Sequence, residues 1–546
     1  MRFAGLALAA VCALTLFTGL DSVGLVDWRE ARDAQVAREM IARHEILTPL
    51  FGYARHLEKP APAYAPEALV QLATRGTPET SRRLRAAFAV VLIVLTGSIG
   101  AHMFGVRAGV LAAVVLATSL VVPMAVRTDG TQLLASVLAW VGVAGFADAQ
   151  FGRRRGGMAR LLVAWVALAA TLAVAGPLPA LWPVGGWALY LLLARAREDW
   201  NRILLPAGLV LMAGIALPWY GAMFERHGTA FLAHVPFFPY AVEARGPWWT
   251  SPVLVVSFLV VGFFPWSTLL PGALTHAATW WLRVLRLPVL GRAGDQRHDP
   301  IQREIREEGA AHFFVACMAA ALAPLVLYPG PPLTAALPAL PAAALLCGRM
   351  LDHLFEDATR LVVPVRNAAF MLALVGTVGA VLVATVGPRI GEAEADLRLL
   401  ATVVFATSWL PLLAHLAGRR TLAAMALALP VTIGTPIVQL RLLPRMEDWL
   451  NTRAVAAAFE RVAPPGAVLV LDEAPRPSLR WYAPANLVPA RELEAAIAAH
   501  RTRDGLTYLA FRPFNERRVA SRTGGPLEIV LRTPTLVLAR VHPIAP

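Results

Sequence analysis

Lysine is all but missing from this chain: of 50 basic residues among 546, Lys59 is the lone lysine and every other one is arginine. Cysteine is scarce too. Cys12, Cys317 and Cys347 each fall inside an apolar run with no Cys-x-x-Cys or Cys/His grouping, which excludes a disulfide framework and a structural zinc site. Charge is thin overall, 16% of residues against 57% hydrophobic, with a mean hydropathy of +0.58, and that balance excludes a set of ordinary soluble domains. No Gly-rich phosphate loop or nucleophile elbow is present, so no nucleotide-binding fold is expected. The net charge of +14 is not a nucleic-acid signal, because the arginines sit in short turns between apolar runs, where they orient a protein in a bilayer. No nucleic-acid partner is implied, and the chain reads as an α-helical polytopic membrane protein.

Spans of about 20 apolar residues give about thirteen transmembrane helices. They are expected at residues 3–20, 86–105, 108–126, 131–148, 159–176, 178–194, 203–221, 252–273, 312–328, 332–349, 363–386, 398–417 and 421–439. The first is read as a retained helix, with a cleaved signal peptide as the alternative. With the N-terminus inside, Arg107, Arg153 to Arg155 and Arg419-Arg420 fall on the cytoplasmic side, as positive-inside orientation requires. Residues 21–85, Asp129, the loop 223–250 and everything after 440 then share the outer side. Residues 1–440 form the membrane domain. Residues 441–546, in which short helices and β-rich runs alternate, read as a small outer α/β domain with no catalytic motif of its own.

Polar chemistry concentrates in the first outer loop. Asp27-Trp28-Arg29-Glu30 opens a stretch in which Ala34, Ala37, Met40 and Ile41 recur at helical spacing, the pattern of an amphipathic helix on a membrane surface. Asp27 and Glu30 have the spacing of a capping box and Arg29/Asp33 that of an ordinary i,i+4 ion pair, readings that compete with a role for either acid as general base. Lys59, in Leu57-Glu58-Lys59-Pro60, keeps an ammonium where the rest of the chain writes arginine. A compact three-donor cation suits a phosphate or carboxylate in a way a planar guanidinium does not reproduce. Asp129, at a membrane boundary, is either a helix N-cap or a functional acid. In the loop 223–250, Phe237, Phe238, Tyr240, Trp248 and Trp249 read as an interfacial belt ahead of a sugar platform, and His227 and His234 have no metal-ligand spacing.

These motifs carry a resemblance. Asp27-Trp-Arg-Glu30, Val36-Ala-Arg38-Glu39-Met40, Gly52-Tyr53 and Glu58-Lys59-Pro60 with Tyr64 resemble the first outer loop of the GT-C fold membrane glycosyltransferases, nearest to the bacterial aminoarabinose transferase and protein mannosyltransferase superfamily. Arg127-Thr-Asp129 resembles that family's second acidic motif, Gly176-Pro177 its Lys-Gly-Pro turn, Phe264-Pro265-Trp266 its Leu-Pro-Trp segment and Leu337 to Pro341 its late Leu-Pro-x-x-Pro helix start. The chain departs from the pattern at Arg29, where the family often has an acid beside the Glu, and at Ala175, where it commonly has lysine. It departs again at His56, where an aromatic is usual, and at Ala65, where Trp is usual.

The resemblance implies transfer of a sugar from polyprenyl (undecaprenyl) phosphate to a lipid A, glycan or protein acceptor on the periplasmic face of a bacterial inner membrane. Lys59, with Arg245, would hold the donor phosphate, and Glu30, Asp27 or Asp129 would act as base. Glu58, Tyr53, Tyr64 and Arg127 would line the substrates. An activated lipid phosphate requires no cofactor, and Asp27, Glu30 and Asp129 leave room for a divalent cation. A lipid-linked sugar transporter and a catalytically inactive lipid-binding relative are the alternatives. Clustering of charge in loops and the absence of an internal repeat weigh against the transporter.

Overall fold

The structure is a computed structural model that describes residues 2–27, 29–74, 76–152, 157–195, 199–200, 205–235, 250–284, 300–326, 333–356, 362–386, 393–472, 476–483, 487–490, 493–499, 506–523 and 527–542. Arg153 to Arg155 and the aromatic residues 237–249 of the outer loop, with Arg245, lie outside the described residues.

Among the described residues nine helices are long and apolar enough to cross a membrane, or ten if the bent pair Val106–Ala117 and Val121–Thr128 is one span. Shorter apolar helices, Gly5–Phe17, Pro177–Leu193 and Ser251–Gly262, occupy three further apolar runs. Helix therefore stands at every apolar run of the sequence, while full length does not. The run expected to span 252–273 stops at Gly262, where Phe264, the cis-linked Pro265 and a 3-10 turn at Trp266–Thr268 interrupt it.

The membrane helices approach closely on small residues, since lipid offers no hydrophobic drive and van der Waals packing must hold them. A Cβ on Gly109 would stand 2.4 Å from Ala101 N and Gly97 O, and one on Gly348 would stand 2.7 Å from Ala108 O. Three helices, Pro78–Met103, Val106–Ala117 and Leu340–Glu356, thereby meet backbone to backbone.

The break after Ala117 bends the chain by 55°. Backbone groups freed at such a break must find partners inside the protein. Leu120 N donates to Phe264 O at 3.1 Å, and Trp266 Nε1 donates to Thr118 Oγ1 at 2.8 Å. The break aims Val121–Thr128 at the outer loop and delivers Asp129 there as N-cap of Gly130–Phe151, where its carboxylate accepts from Gln132 N.

Above the membrane helices lies the loop. It contains the helix Arg29–Arg43, a two-residue hairpin (β1 Leu50–Phe51, β2 Ala54–Arg55), the 3-10 turn Ala61–Tyr64 and the helix Ala65–Thr74. The helix Arg29–Arg43 is not the surface amphipath expected from its alanines. Glu30, Arg32, Asp33, Gln35 and Glu39 are buried along with the apolar residues, because membrane helices lie on one side of it and the C-terminal domain on the other. Arg38 stacks 3.2 Å over Trp481 and donates to its carbonyl at 2.8 Å.

The C-terminal sheet has order β4-β3-β5-β7-β6, with β3 (Leu469–Leu471), β4 (Leu487–Pro489), β5 (Thr507–Phe511), β6 (Leu527–Arg532) and β7 (Val537–Val541). Strands β4, β3 and β5 are parallel, and β7 pairs antiparallel with β5 and β6. Alternate side chains face opposite ways along each strand. Leu469, Leu471, Tyr508, Ala510 and Leu538 pack under the helix Arg453–Val462, while Val470, Leu509, Phe511, Val537 and Ala539 pack under Leu493–Ala499. Short helices and strands alternate here, as the sequence pattern leads one to expect.

Candidate active site

Proline after Lys59 turns the lysine inward. Pro60 disfavours helical backbone at the preceding residue and starts the turn Ala61–Tyr64, closed by Ala63 N donating to Pro60 O at 3.0 Å. The Lys59 side chain is 1% exposed. Its Nζ donates to both oxygens of Asp33 at 2.7 Å and to Thr131 Oγ1 at 3.4 Å. Two further cation–carboxylate pairs lie in the same cluster. Arg32 donates to Glu58 Oε2 at 2.6 Å, with His56 Nε2 at 3.1 Å from the same oxygen. Arg29 donates to Asp129 Oδ2 at 3.1 Å, and Thr334 Oγ1 donates to it at 2.8 Å. The Tyr64 ring lies 5.8 Å from Lys59 Nζ, and its buried hydroxyl has no hydrogen-bond partner among the described residues.

Burying this many charges costs several kcal/mol per ion unless each finds an opposite charge and its remaining hydrogen bonds. The titration of the acids reflects how well that is done. Burial opposes ionisation of Glu58, but the His56 hydrogen bond and the charges of Arg32, Lys59 and Arg29 outweigh it and hold the carboxyl well below its usual range. At Asp33 burial wins over Lys59, and Asp129 and Glu58 add to it, so its carboxyl is pushed up. Burial, then Asp33 and Glu58, push the Tyr64 hydroxyl far up, so it is a neutral donor.

The structure therefore brings together Lys59, Glu58, Tyr64 and Asp129. Other expected residues lie elsewhere. Glu30 has a fully buried carboxylate that accepts from Arg82 Nε and Nη2 at 2.8 and 2.7 Å, Arg85 Nη1 at 2.9 Å and Val26 N at 2.7 Å. Asp27 faces the C-terminal domain, accepting from Ser478 N at 2.9 Å and Arg476 at 3.2 Å. Burial raises the Asp27 carboxyl against these donors. Arg127 donates to the carbonyls of Thr18 and Gly19 at 2.9 and 2.8 Å and anchors the end of the first helix. Tyr53 sits in the hairpin turn with φ of 60°, exposed beneath Arg43.

The helix-start pattern does not hold in its expected form. Glu30 does not serve a capping box with Asp27, and Arg29 and Asp33 pair with Asp129 and Lys59 instead of with each other. Asp27, Glu30 and Asp129 are engaged by different partners, and among the described residues no three His, Cys, Asp or Glu side chains gather as a metal site. Among the described residues, Asp27, Glu30 and Asp129 therefore do not converge on one point where a divalent cation could sit.

Sequence reasoning missed Arg29, Arg32, Asp33, Thr131 and Thr334 as members of the cluster. One signal was present: Arg29, Arg32, Asp33 and Val36 recur at i, i+3, i+4 and i+7, so the charges share a helix face with a residue that must be buried.

This bent, small-residue-packed helical layer with its outer loop has the GT-C fold. Within it, the chain is similar to the aminoarabinose transferases. It is 29% identical over 270 residues to the undecaprenyl phosphate-alpha-4-amino-4-deoxy-L-arabinose arabinosyl transferase of Pectobacterium atrosepticum, a match spanning 46% of this chain and 46% of that relative. The match thus covers less than half of the relative's length. No protein-family model matches the chain. The crystal structure of ArnT from Cupriavidus metallidurans in the apo state superposes with a TM-score of 0.76 at 16% identity, over 98% of this chain and 97% of that one. The same protein bound to undecaprenyl phosphate gives 0.75 at 16% identity over the same shares. The archaeal oligosaccharyltransferase AglB from Archaeoglobus fulgidus, in complex with an inhibitory peptide and a dolichol-phosphate, gives 0.50 at 11% identity, over 98% of this chain and 73% of that one.

Proposed function

We propose that the protein is a glycosyltransferase that moves a sugar from a polyprenyl phosphate donor to a lipid A, glycan or protein acceptor on the periplasmic side of the inner membrane. The observation that carries this reading is the lone lysine, buried among paired charges in a fold that binds undecaprenyl phosphate in ArnT. A departing lipid phosphate gains negative charge as the glycosidic bond breaks, and a fixed ammonium in a water-poor site stabilises that charge far more than it would in water. Lys59 is the phosphate cation. The Tyr64 hydroxyl, neutral and unpartnered among the described residues, is a further donor to the phosphate. Arg29 and Arg32 supply the positive charge that Ala175 does not.

Of the three acids considered from the sequence, Asp129 belongs to this cluster, whereas Glu30 is tied to Arg82 and Arg85 and Asp27 to the C-terminal domain. Similarity to the Pectobacterium transferase supports aminoarabinose as the first sugar to try and lipid A as the first acceptor.

The test is transfer of labelled sugar from undecaprenyl phosphate donors by the purified protein in detergent. Wild type moves label to an acceptor and Lys59→Ala does not, at equal folded protein. Equal transfer by the two proteins would overturn the role of Lys59, and donors left intact by wild type across all acceptors would overturn the reading.

A further inference from the structure

Each of the three cations in the cluster already faces a carboxylate, and the one on Lys59 stands apart from the other two. Glu58 is held by Arg32 and His56, and Asp129 by Arg29, Thr334 and Gln132 N, each by donors on more than one element. Among the described residues both Asp33 oxygens instead rest on one cation, the Lys59 ammonium. That is the place a phosphate must take on Lys59, so donor and Asp33 compete for one cation.

Asp33 also lines a small cavity with Thr131, Leu84 and Phe88, in which the other carboxylate, Glu67, is already paired with Arg85 at 2.9 Å. On the Lys59 side, the 1% exposed Tyr64 hydroxyl, which has no hydrogen-bond partner among the described residues, is placed to meet an acceptor of hydrogen bonds.

We propose that Asp33 is the catalytic base: it occupies Lys59 before the donor arrives, is displaced from the ammonium by the donor's phosphate, and then takes the proton of the acceptor hydroxyl. This rests on the glycosyltransferase reading. In the step, the acceptor O–H proton passes to the Asp33 carboxylate and the acceptor oxygen bonds to the anomeric carbon of the sugar. The bond from that carbon to the phosphate oxygen breaks, and its electron pair leaves on polyprenyl phosphate beside Lys59. Asp33 later returns the proton to water as it closes again on Lys59. The acid thus lies one helical turn beyond Arg29, the position where the resembling family often has a carboxylate. One residue turns donor binding into release of the base.

The experiment measures undecaprenyl phosphate affinity and sugar transfer separately for wild type, Asp33→Asn and Asp33→Glu in the full-length detergent-solubilised protein. Asp33→Asn, relieved of the competing charge, binds undecaprenyl phosphate more tightly than wild type, while kcat with labelled undecaprenyl-phosphate-linked sugar falls by about 10²–10⁴-fold. Asp33→Glu keeps the charge and the fold and binds undecaprenyl phosphate within about threefold of wild type, and its loss falls on kcat and not on KM. Wild-type kcat in both variants overturns the base. Weaker undecaprenyl phosphate binding by Asp33→Asn overturns the exchange on Lys59 and marks Asp33 as a structural counter-ion. If wild type itself transfers nothing, the glycosyltransferase reading and the base fall together, and the binding arm still decides the exchange.

Discussion

At the scale of single residues, the site is a set of buried charges whose partners decide what each can do. Glu58 is the clearest case for pH. Its carboxyl is depressed in the folded protein by His56, Arg32, Lys59 and Arg29 acting against burial, so the pairing adds stability above the unfolded carboxyl pKa of about 4.3 and loses it as pH falls below that value. Acid unfolding followed by intrinsic fluorescence is expected to show a steep loss of stability below about pH 4 in wild type and a shallower one in Glu58→Gln. Identical acid profiles would contradict the assignment of its partners. Lys59 was legible because one lysine among arginines is conspicuous. Asp33 was not, because a carboxylate four residues after an arginine reads as a local helix pair, and its true partner lies 26 residues further along the chain.

At the scale of elements, the helix Arg29–Arg43 is held by charge as much as by apolar contact. Arg82, fully buried at the start of Pro78–Met103, binds Glu30 with two nitrogens and donates to the carbonyls of Leu20, Val23 and Gly24 at 2.7–2.8 Å. It ties the end of the first helix, the loop helix and a membrane span together. Arg82→Ala leaves Glu30 buried beside Arg85 alone and is expected to cost about 3–5 kcal/mol, read as a fall in the thermal transition of the detergent-solubilised protein. An unchanged transition would contradict this tie. The membrane helices were readable from their apolar runs, since length and hydropathy leave a backbone few alternatives in lipid. What the runs did not reveal was interruption. Ala117 to Val121 carries no proline within the turn itself, and the bend there depends on Phe264 and Trp266, more than a hundred residues away. The burial of Arg29–Arg43 was hidden for the same reason, since its alanines describe one face and the C-terminal domain covers another.

At the scale of the whole molecule, a helical layer carries an outer loop of charges, and a small sheet domain closes over that loop through Asp27, Arg38 and Tyr482. The resemblance carried by the loop motifs agrees with a fold shared over nearly the whole chain, while the roles of individual acids came from packing that no motif contains. The central claim is that this assembly exists to hold a lipid phosphate on one ammonium. The most direct measurement is equilibrium binding of undecaprenyl phosphate to purified wild type, Lys59→Ala and Lys59→Arg, with the thermal transition of each recorded alongside. The account predicts saturable binding by wild type and a loss of at least about tenfold in Lys59→Ala, the order of one charge-assisted hydrogen bond. Lys59→Arg fails to restore it, because a planar guanidinium does not fit where a compact ammonium points. Undiminished binding by a folded Lys59→Ala would contradict the account.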